Sequence, residues 1–279
     1  MSGSFPPLGP EHLDAIAALC RRGLTDAPSI TDLNSSLFTP GFLVSVRGDP
    51  QRGIVASCVR DQVGYLRLLV VDPAARGQGL GGALLDAAEH DLAAAPTITV
   101  GGDAPDYLFP GVETNQLDML CLLERRHYSR GEANFNMVVD LGRLPPTPEG
   151  EVLAVAAPHD RDEVAAWIQA HWPNWETEVL RCLERGTLML GRDDDGIVSF
   201  CCWDGARTGW LGPVGVRPAT IGGGRGRSVL IAALHRMRDQ GRDRAEIGWV
   251  GPIPPYAQTV GAVINRVFFV YRKQQRPQS

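Results

Sequence analysis

Val71-Asp72-Pro73-Ala74-Ala75-Arg76-Gly77-Gln78-Gly79-Leu80-Gly81 reads as a strand that stops at a proline, an arginine, and a helix opened by glycine at every second position. Such a helix start is a phosphate site. Bare N–H groups point outward, the helix dipole adds roughly half a positive charge, and the missing Cβ atoms let an anion come close. A second copy, Val216-Arg217-Pro218-Ala219-Thr220-Ile221-Gly222-Gly223-Gly224-Arg225-Gly226, begins 145 residues later. Residues 64–85 and 209–230 align without a gap, keeping Gly, Leu, Val, Pro, Ala and three alternating glycines in register. The chain therefore reads as one fold used twice, each copy with a site for a phosphorylated cofactor.

A chain of 279 residues accommodates two domains of ordinary size. The expected division is 1–142 and 151–279, joined by a linker at 143–150 whose Pro145, Pro146 and Pro148 exclude helix and sheet. Apolar and charged contents of 44% and 21% are those of a globular protein. A formal charge of −5 gives no long-range attraction to nucleic acid or anionic lipid, so neither is an expected partner. Lys273 is the only lysine; arginine supplies the other basic side chains. The six cysteines form no C-x-x-C pair and none sits at zinc spacing with histidine. They read as buried free thiols of a cytoplasmic protein, with no metal expected. Met1–Pro7 lacks the pattern of a signal peptide, and no apolar run approaches the ~20 residues of a membrane span.

Apolar periodicity places a helix near 11–22, with Leu13, Ile16, Leu19 and Cys20 on one face, and strands at 42–46 and 53–59. The short turn Arg60-Asp61-Gln62 makes the strand 63–71 the second arm of an antiparallel hairpin. A helix to about Ala94, a strand at 97–100, a helix near 115–126 and a strand at 133–141 complete the first half. The order then recurs: strand 152–156, helices near 160–170 and 175–185, strands 187–190, 197–203 and 209–216, a helix to about Gln240, and strands 245–250 and 262–271. Only a short turn of helix is expected near Tyr256.

The glycines admit three readings. A ligand-free turn is disfavoured by the double occurrence. A dinucleotide fingerprint is met by Gly77, Gly79 and Gly82, with Asp103 about twenty residues on. The preceding strand is a hairpin arm, however, and Arg227 replaces the third glycine in the second copy. The third reading fits best: Val-x-Pro-x-x-Arg-Gly-x-Gly-x-Gly after a hairpin resembles the coenzyme A motif of the GCN5-related N-acetyltransferases (GNAT). The resemblance extends over nearly the whole chain, which looks like a tandem member. It implies an α/β (α+β) fold of two domains, each a mixed, mostly antiparallel sheet flanked by helices. It also implies acetyl-CoA as co-substrate, its pyrophosphate on Gly77, Gln78, Gly79, Leu80, Gly81 and Gly82, with Arg76 as the leading arginine. In the second half the matching residues are Gly222, Gly223, Gly224, Arg225 and Gly226. Ile221 stands where the arginine belongs, with Arg225 as an alternative source of charge. The strand before each turn would splay and hold the pantetheine arm and thioester, at Leu69, Val70 and Val71 and at Val214, Gly215 and Val216.

The implied reaction is transfer of acetyl to an amine, with CoA thiolate leaving. Relatives often carry the acid as a tyrosine in Tyr-x-x-x-Gly-Phe. Tyr256 precedes Gly261 by one residue more than that spacing, and Leu122 in the first half cannot donate a proton. Chemistry is therefore expected in the second half with Tyr256 as the acid. The acceptor pocket would lie at His171-Trp172-Pro173-Asn174-Trp175 facing Cys202-Trp203-Asp204, where indoles around a carboxylate would cradle a cationic amine. Glu246, Asp204 and His171 stand unranked as bases. The expected acceptor is a small or peptide-like amine, and the chain is expected to be a monomer or homodimer. The alternative is a non-catalytic CoA-binding sensor or scaffold.

Overall fold

A computed structural model describes residues 5–148 and 152–275. Its contacts divide the chain into two compact units, residues 1–134 with 267–279, and residues 135–266.

In unit 1 the elements are α1 (Leu13–Gly23), α2 (Ile30–Leu37), β1 (Val44–Asp49), β2 (Gly53–Arg60), β3 (Val63–Val71), α3 (Leu80–Asp91), β4 (Thr97–Val100), β5 (Val112–Glu113), α4 (Leu117–Arg125) and the first part of β6 (Ser129–Asp140). Unit 2 takes the rest of β6 and continues with β7 (Val152–Val155), α5 (Arg161–His171), α6 (Glu176–Arg185), β8 (Leu188–Asp193), β9 (Gly196–Trp203), β10 (Trp210–Val216), α7 (Arg225–Asp239), β11 (Arg244–Ile247) and α8 (Ile253–Val260). The last strand, β12 (Val263–Gln274), starts in unit 2 and finishes in unit 1.

The unit 1 sheet runs β1-β2-β3-β4-β12-β6, with β5 beside β12; the unit 2 sheet runs β6-β11-β10-β9-β8-β7. Among the described residues β3–β4 and β10–β11 pair in parallel, while β1–β2, β2–β3, β4–β12, β5–β12, β6–β11, β7–β8, β8–β9 and β9–β10 are antiparallel. Each sheet is mixed, mostly antiparallel and covered by helices on both faces. In unit 1, Ile16, Leu19, Leu33 and Leu37 of α1 and α2 pack on Val46, Ile54, Leu68 and Val70. On the other face Leu84, Leu85 and Leu123 of α3 and α4 pack on Val55, Leu66, Ile98 and Tyr271. Unit 2 repeats this: α5 and α6 cover Leu190, Phe200 and Cys202, and α7 and α8 cover Cys201, Leu211 and Ile247. Ile54 and Val55, and Cys201 and Cys202, serve opposite cores as the two-residue side-chain period requires, whereas a bulge in the β2–β3 pairing sends Leu66 and Leu68 to opposite faces.

The unit boundaries depart from the expected 1–142 and 151–279. Residues 135–142 lie in unit 2 and 267–275 in unit 1, so each unit's sheet is completed from beyond the proline-rich segment. Leu144–Pro148 has no helix or strand; residues 149 and 150 of the expected linker lie outside the described residues.

Local chemistry explains the element ends. Ser29 Oγ accepts the Asp32 N–H at 3.1 Å while the Asp32 carboxylate accepts the Ser29 N–H at 2.9 Å, a capping box that opens α2. Pro254 and Pro255 sit in the first turn of α8, where a missing N–H costs nothing, and Gly261 at φ 65° ends it. The helix holding Tyr256 is thus eight residues long rather than a single turn.

Candidate functional site

The two glycine turns fold alike. Asp72 (φ −52°, ψ 131°) matches Arg217 (φ −46°, ψ 123°), and each leads into a three-residue 3-10 turn, Pro73–Ala75 and Pro218–Thr220. Arg76 (φ −69°, ψ 162°) matches Ile221 (φ −60°, ψ 137°). Gly79 (φ 80°, ψ −3°) and Gly224 (φ 83°, ψ −8°) then cap α3 and α7 in the left-handed conformation, which disfavours any residue with a Cβ. A Cβ built on Gly77, Gly79, Gly222 or Gly224 would meet no atom within 4 Å, so neither turn is filled by its own side chains.

The strands before the turns also share a feature. β3 pairs with β4 only over Val63–Leu66, and β10 pairs with β11 only at Trp210 and Leu211. From there to Val71 and to Val216 each strand keeps its hairpin partner and, among the described residues, has no strand on its other edge.

In unit 1 that edge and the turn line one cleft of about 1210 Å³, ample beside the ~300–1,000 Å³ of ordinary ligand pockets. It brings together Leu69, Val70, Val71, Arg76, Gly77, Gly79, Leu80, Gly81 and Gly82. Gln78 is set apart: its amide donates to Ala74 O at 3.2 Å and accepts from Arg52 at 3.4 Å. The opposite wall is the end of α1 (Gly23–Thr25) and the segment Asn115–Met119 with Cys121, Leu122, Arg125 and Arg126. Those walls carry no motif, and apart from Leu122 sequence reasoning missed them. Their one signal was the solvent-facing arginine pair Arg125-Arg126 closing an apolar helix.

Arg76 braces the mouth rather than projecting freely. It donates to Gly23 O at 2.8 Å and Val71 O at 3.3 Å, and stands 3.5 Å from Asp118. Beside it, hydrogen bonds from Arg22 and the Ala74 N–H hold the Asp72 carboxyl below the usual carboxylate range. Arg126 pairs with Asp86 at 2.5 Å, which raises its own pKa, and donates to Gly82 O at 3.1 Å. Leu122 lies 3.5 Å from where a Cβ on Gly81 would stand, so the position examined for an acid in this half is apolar. Cys121 is exposed on the cleft wall, a correction to the expectation of buried thiols; the other five are buried.

Asp103 does not face the cleft. It is 1% exposed and pairs with Arg67 and, at 2.9 Å, with Arg60; the Cys58 thiol donates to it at 3.1 Å. Asp106 joins through Arg60 at 2.7 Å and Arg67 at 3.8 Å. The acidic residue of the dinucleotide reading is therefore consumed in a buried ion-pair quartet.

In unit 2 Ile221 is 74% exposed, and Arg225 lies 3.6 Å from Asp193, which also binds Arg217 at 3.3 Å. The charge of Arg225 is therefore shared with a carboxylate. Gly215 has a packing reason: a Cβ there would come within 2.4 Å of the Phe200 ring. Val214 and Tyr256 both pack against the core containing Cys201, and burial pushes the Tyr256 hydroxyl up to about 12.

The expected pocket of indoles around a carboxylate is not formed. Trp172 and Trp175 stack at 5.9 Å against Phe200, whereas Trp203 lies in the other core and is fully buried. Asp204 is held by both terminal nitrogens of Arg242 at 2.8 and 2.5 Å. Of the other two bases considered, His171 packs edge-on to Trp167 at 5.1 Å. Glu246 accepts from Asn136 at 2.5 Å and pairs with Arg266 at 3.2 Å.

A hairpin, a strand with one free edge, and a glycine-capped helix, present twice, define the GNAT fold in tandem. Comparison with known proteins agrees. Residues 34–100 match the Acetyltransferase (GNAT) family, whose members are acetyltransferases. A tandem GNAT protein from the clavulanic acid biosynthesis pathway superposes with a TM-score of 0.72 at 16% identity, covering 99% of both chains. A GCN5-related N-acetyltransferase from Sphaerobacter thermophilus gives 0.70 at 19% identity, covering 99% of this chain and 98% of that one. A GCN5-related glucosamine N-acetyltransferase region of a fungal multi-domain GH3 β-N-acetylglucosaminidase gives 0.77 at 22% identity over 97% of this chain, which spans 38% of that protein. No curated protein matches the sequence. The chain thus has the GNAT fold in tandem, and the family match itself lies in unit 1. Among the described residues no helix is long and apolar enough to cross a membrane, and no cluster of three His, Cys, Asp or Glu could hold a metal.

Proposed function

We propose that this chain is an acetyl-CoA-dependent N-acetyltransferase for a small amine, with the coenzyme held in the unit 1 cleft. One observation carries the reading: the open glycine turn, the free edge of β3 and the cleft form one continuous groove. Along it the N–H groups of residues 77–82 face the diphosphate, and the free groups of Leu69–Val71 hydrogen-bond the amide-bearing arm. Each bond to the charged diphosphate is worth about 1.5–3 kcal/mol.

The acceptor amine must be neutral to attack. For a lysine-like amine of pKa about 10.4, deprotonation at pH 7 costs about 4.6 kcal/mol, which a base or water chain must absorb. Tyr256 belongs to unit 2 and packs on that unit's core, so in this reading it would serve as proton donor only to a coenzyme bound at the unit 2 turn, whose backbone shape is the same. With its pKa near 12 it stays protonated at neutral pH. Full transfer to a thiolate of ordinary pKa about 8.5 is uphill by roughly 5 kcal/mol, so there Tyr256 would act chiefly by hydrogen-bonding the thiolate. That same arithmetic, with Leu122 at the matching place in unit 1, favours a second reading: a CoA-binding sensor or scaffold without turnover.

Calorimetric titration of the full chain with acetyl-CoA, followed by thioester-cleavage assays across a panel of small amines, separates the two. Binding with amine-dependent CoA release supports the transferase; binding without release under any amine supports the sensor. No binding of acetyl-CoA refutes both.

A further inference from the structure

At its outer end the open edge of β3 is already engaged by a side chain. The Asp72 N–H donates across the hairpin to Arg52 O at 2.8 Å, so by alternation Leu69 and Val71 turn their backbone groups to the cleft side. Of those groups Val71 O is taken: Arg76 Nε donates to it at 3.3 Å. The Nη2 of the same guanidinium donates at 2.8 Å to Gly23 O, one of the carbonyls left over at the end of α1. A further tie is Asp118 at the start of α4, 3.5 Å away. One side chain thus crosses the mouth of the cleft and joins the ends of α1 and β3 to the start of α4.

We infer that Arg76 is a specificity latch. It keeps the arm's site on Val71 closed until a diphosphate draws it off, so the groove takes the whole coenzyme and discriminates against thioesters that carry the arm alone. The inference rests on the reading of the cleft as the coenzyme groove.

Arg76 can let go without loss of the wall. Arg22 Nε donates to the Asp72 carboxylate at 2.6 Å and fastens the same helix end to the same strand end, yet neither residue lines the cleft. Packing holds the helix as well. Ile16, Leu19 and Cys20 of α1 are fully buried, and a Cβ on Gly23 would lie 2.5 Å from the Val70 side chain. The latch is therefore not what keeps α1 in place.

The exchange of partners favours the diphosphate. Arg76 holds two neutral carbonyls and a carboxylate that is 78% exposed. A diphosphate on the N–H groups of residues 77–82, which begin at the next residue, offers charged oxygens instead, and hydrogen bonds between ionised partners are the stronger ones. The arm alone brings one neutral amide N–H to Val71 O, a weaker donor than the guanidinium it must displace. Diphosphate and arm therefore bind with positive coupling, each making room for the other.

The test is calorimetric titration of the full chain and of Arg76→Met with acetyl-CoA and with S-acetylpantetheine, which has the arm and the thioester but no diphosphate. Opposite signs are expected. S-acetylpantetheine should bind Arg76→Met about three- to tenfold more tightly than the parent, the worth of one ordinary hydrogen bond that no longer has to break. Acetyl-CoA should bind the variant at least about threefold more weakly, because the lost bond to a charged acceptor outweighs the bond spared. A structural brace would move both ligands the same way, and a simple anchor would leave S-acetylpantetheine unmoved. Either result, or no binding of S-acetylpantetheine to the variant, overturns the inference. A second measurement needs only the parent chain to fold: inorganic pyrophosphate at millimolar concentration should tighten its binding of S-acetylpantetheine, and absence of that effect also overturns the latch. Failure of acetyl-CoA to bind the parent overturns the groove reading with it; acetyl-CoA binding upholds the groove whichever way the latch is decided.

Discussion

Replacing the two helix-capping glycines one at a time distinguishes the groove of unit 1 from its counterpart. Gly79 and Gly224 have nearly the same backbone angles, φ 80° and 83°. An alanine in the left-handed region costs about 1–2 kcal/mol, so Gly79→Ala and Gly224→Ala should lower stability by similar amounts in urea unfolding. Neither new methyl meets an atom of the protein, so no steric term separates the variants. Binding separates them. At Gly79 the methyl enters the space meant for the diphosphate and turns one N–H away from it. Losing one hydrogen bond to a charged acceptor, about 1.5–3 kcal/mol, weakens acetyl-CoA binding by roughly 10- to 150-fold. At Gly224 the affinity should stay within about threefold of the parent, since Ile221 supplies no charge and Arg225 shares its own with Asp193. Isothermal titration calorimetry at fixed salt reads both. Loss of affinity at Gly224→Ala with none at Gly79→Ala would refute the reasoning and place the coenzyme in unit 2.

Other expectations follow from the same geometry. With the coenzyme in the unit 1 cleft, Tyr256→Phe should leave both acetyl-CoA affinity and amine-dependent thioester cleavage within about twofold of the parent; a fall in cleavage of about 10²-fold or more would place the chemistry in unit 2. Arg67→Met should destabilise unit 1 by about 3–5 kcal/mol in denaturant unfolding, because it leaves Asp103 and Asp106 to share Arg60 alone, and adding Asp103→Leu, which restores one cation to one carboxylate, should recover much of the loss. A double variant as unstable as the single one would show that the quartet is not an electrostatic unit. Glu132, hydrogen-bonded by Arg272 at 2.8 and 3.1 Å, has its pKa lowered to about 2. A depressed folded pKa gives stability that is present above the unfolded value near 4.5 and is lost as pH falls toward 2. Because the pair is exposed, Glu132→Gln should flatten the stability profile between those limits by no more than about 1 kcal/mol. An unchanged profile would show that the pair contributes nothing.

The sequence and the fold agree most closely where backbone conformation dictates residue type. Gly79 and Gly224 occupy a conformation that residues with a Cβ avoid, and Pro73 and Pro218 stop their strands, so the repeat could be read from punctuation alone. The three-residue link at Arg60–Gln62 likewise left no choice but a hairpin. The exchange of β6 and β12 between units was not legible for the opposite reason. Both are unbroken twelve-residue strands whose apolar alternation passes through the unit boundary without a glycine or proline to mark it. The prolines at 145, 146 and 148 do break secondary structure, but the contacts divide elsewhere. The far wall of the cleft was illegible because its residues come from the end of α1 and from α4, elements on opposite faces of the sheet that tertiary folding brings to one cleft, not from any spacing. The acceptor pocket was misread because Trp203 and Trp172 look alike in sequence, whereas strand alternation sends Trp203 into the opposite core.

The most direct measurement is a crystal structure of the full chain grown with acetyl-CoA. The account predicts a diphosphate on the N–H groups of residues 77–82 and the pantetheine arm along Leu69–Val71. A coenzyme bound away from that groove, or a groove left empty beside an occupied turn at Gly222–Gly226, would contradict it.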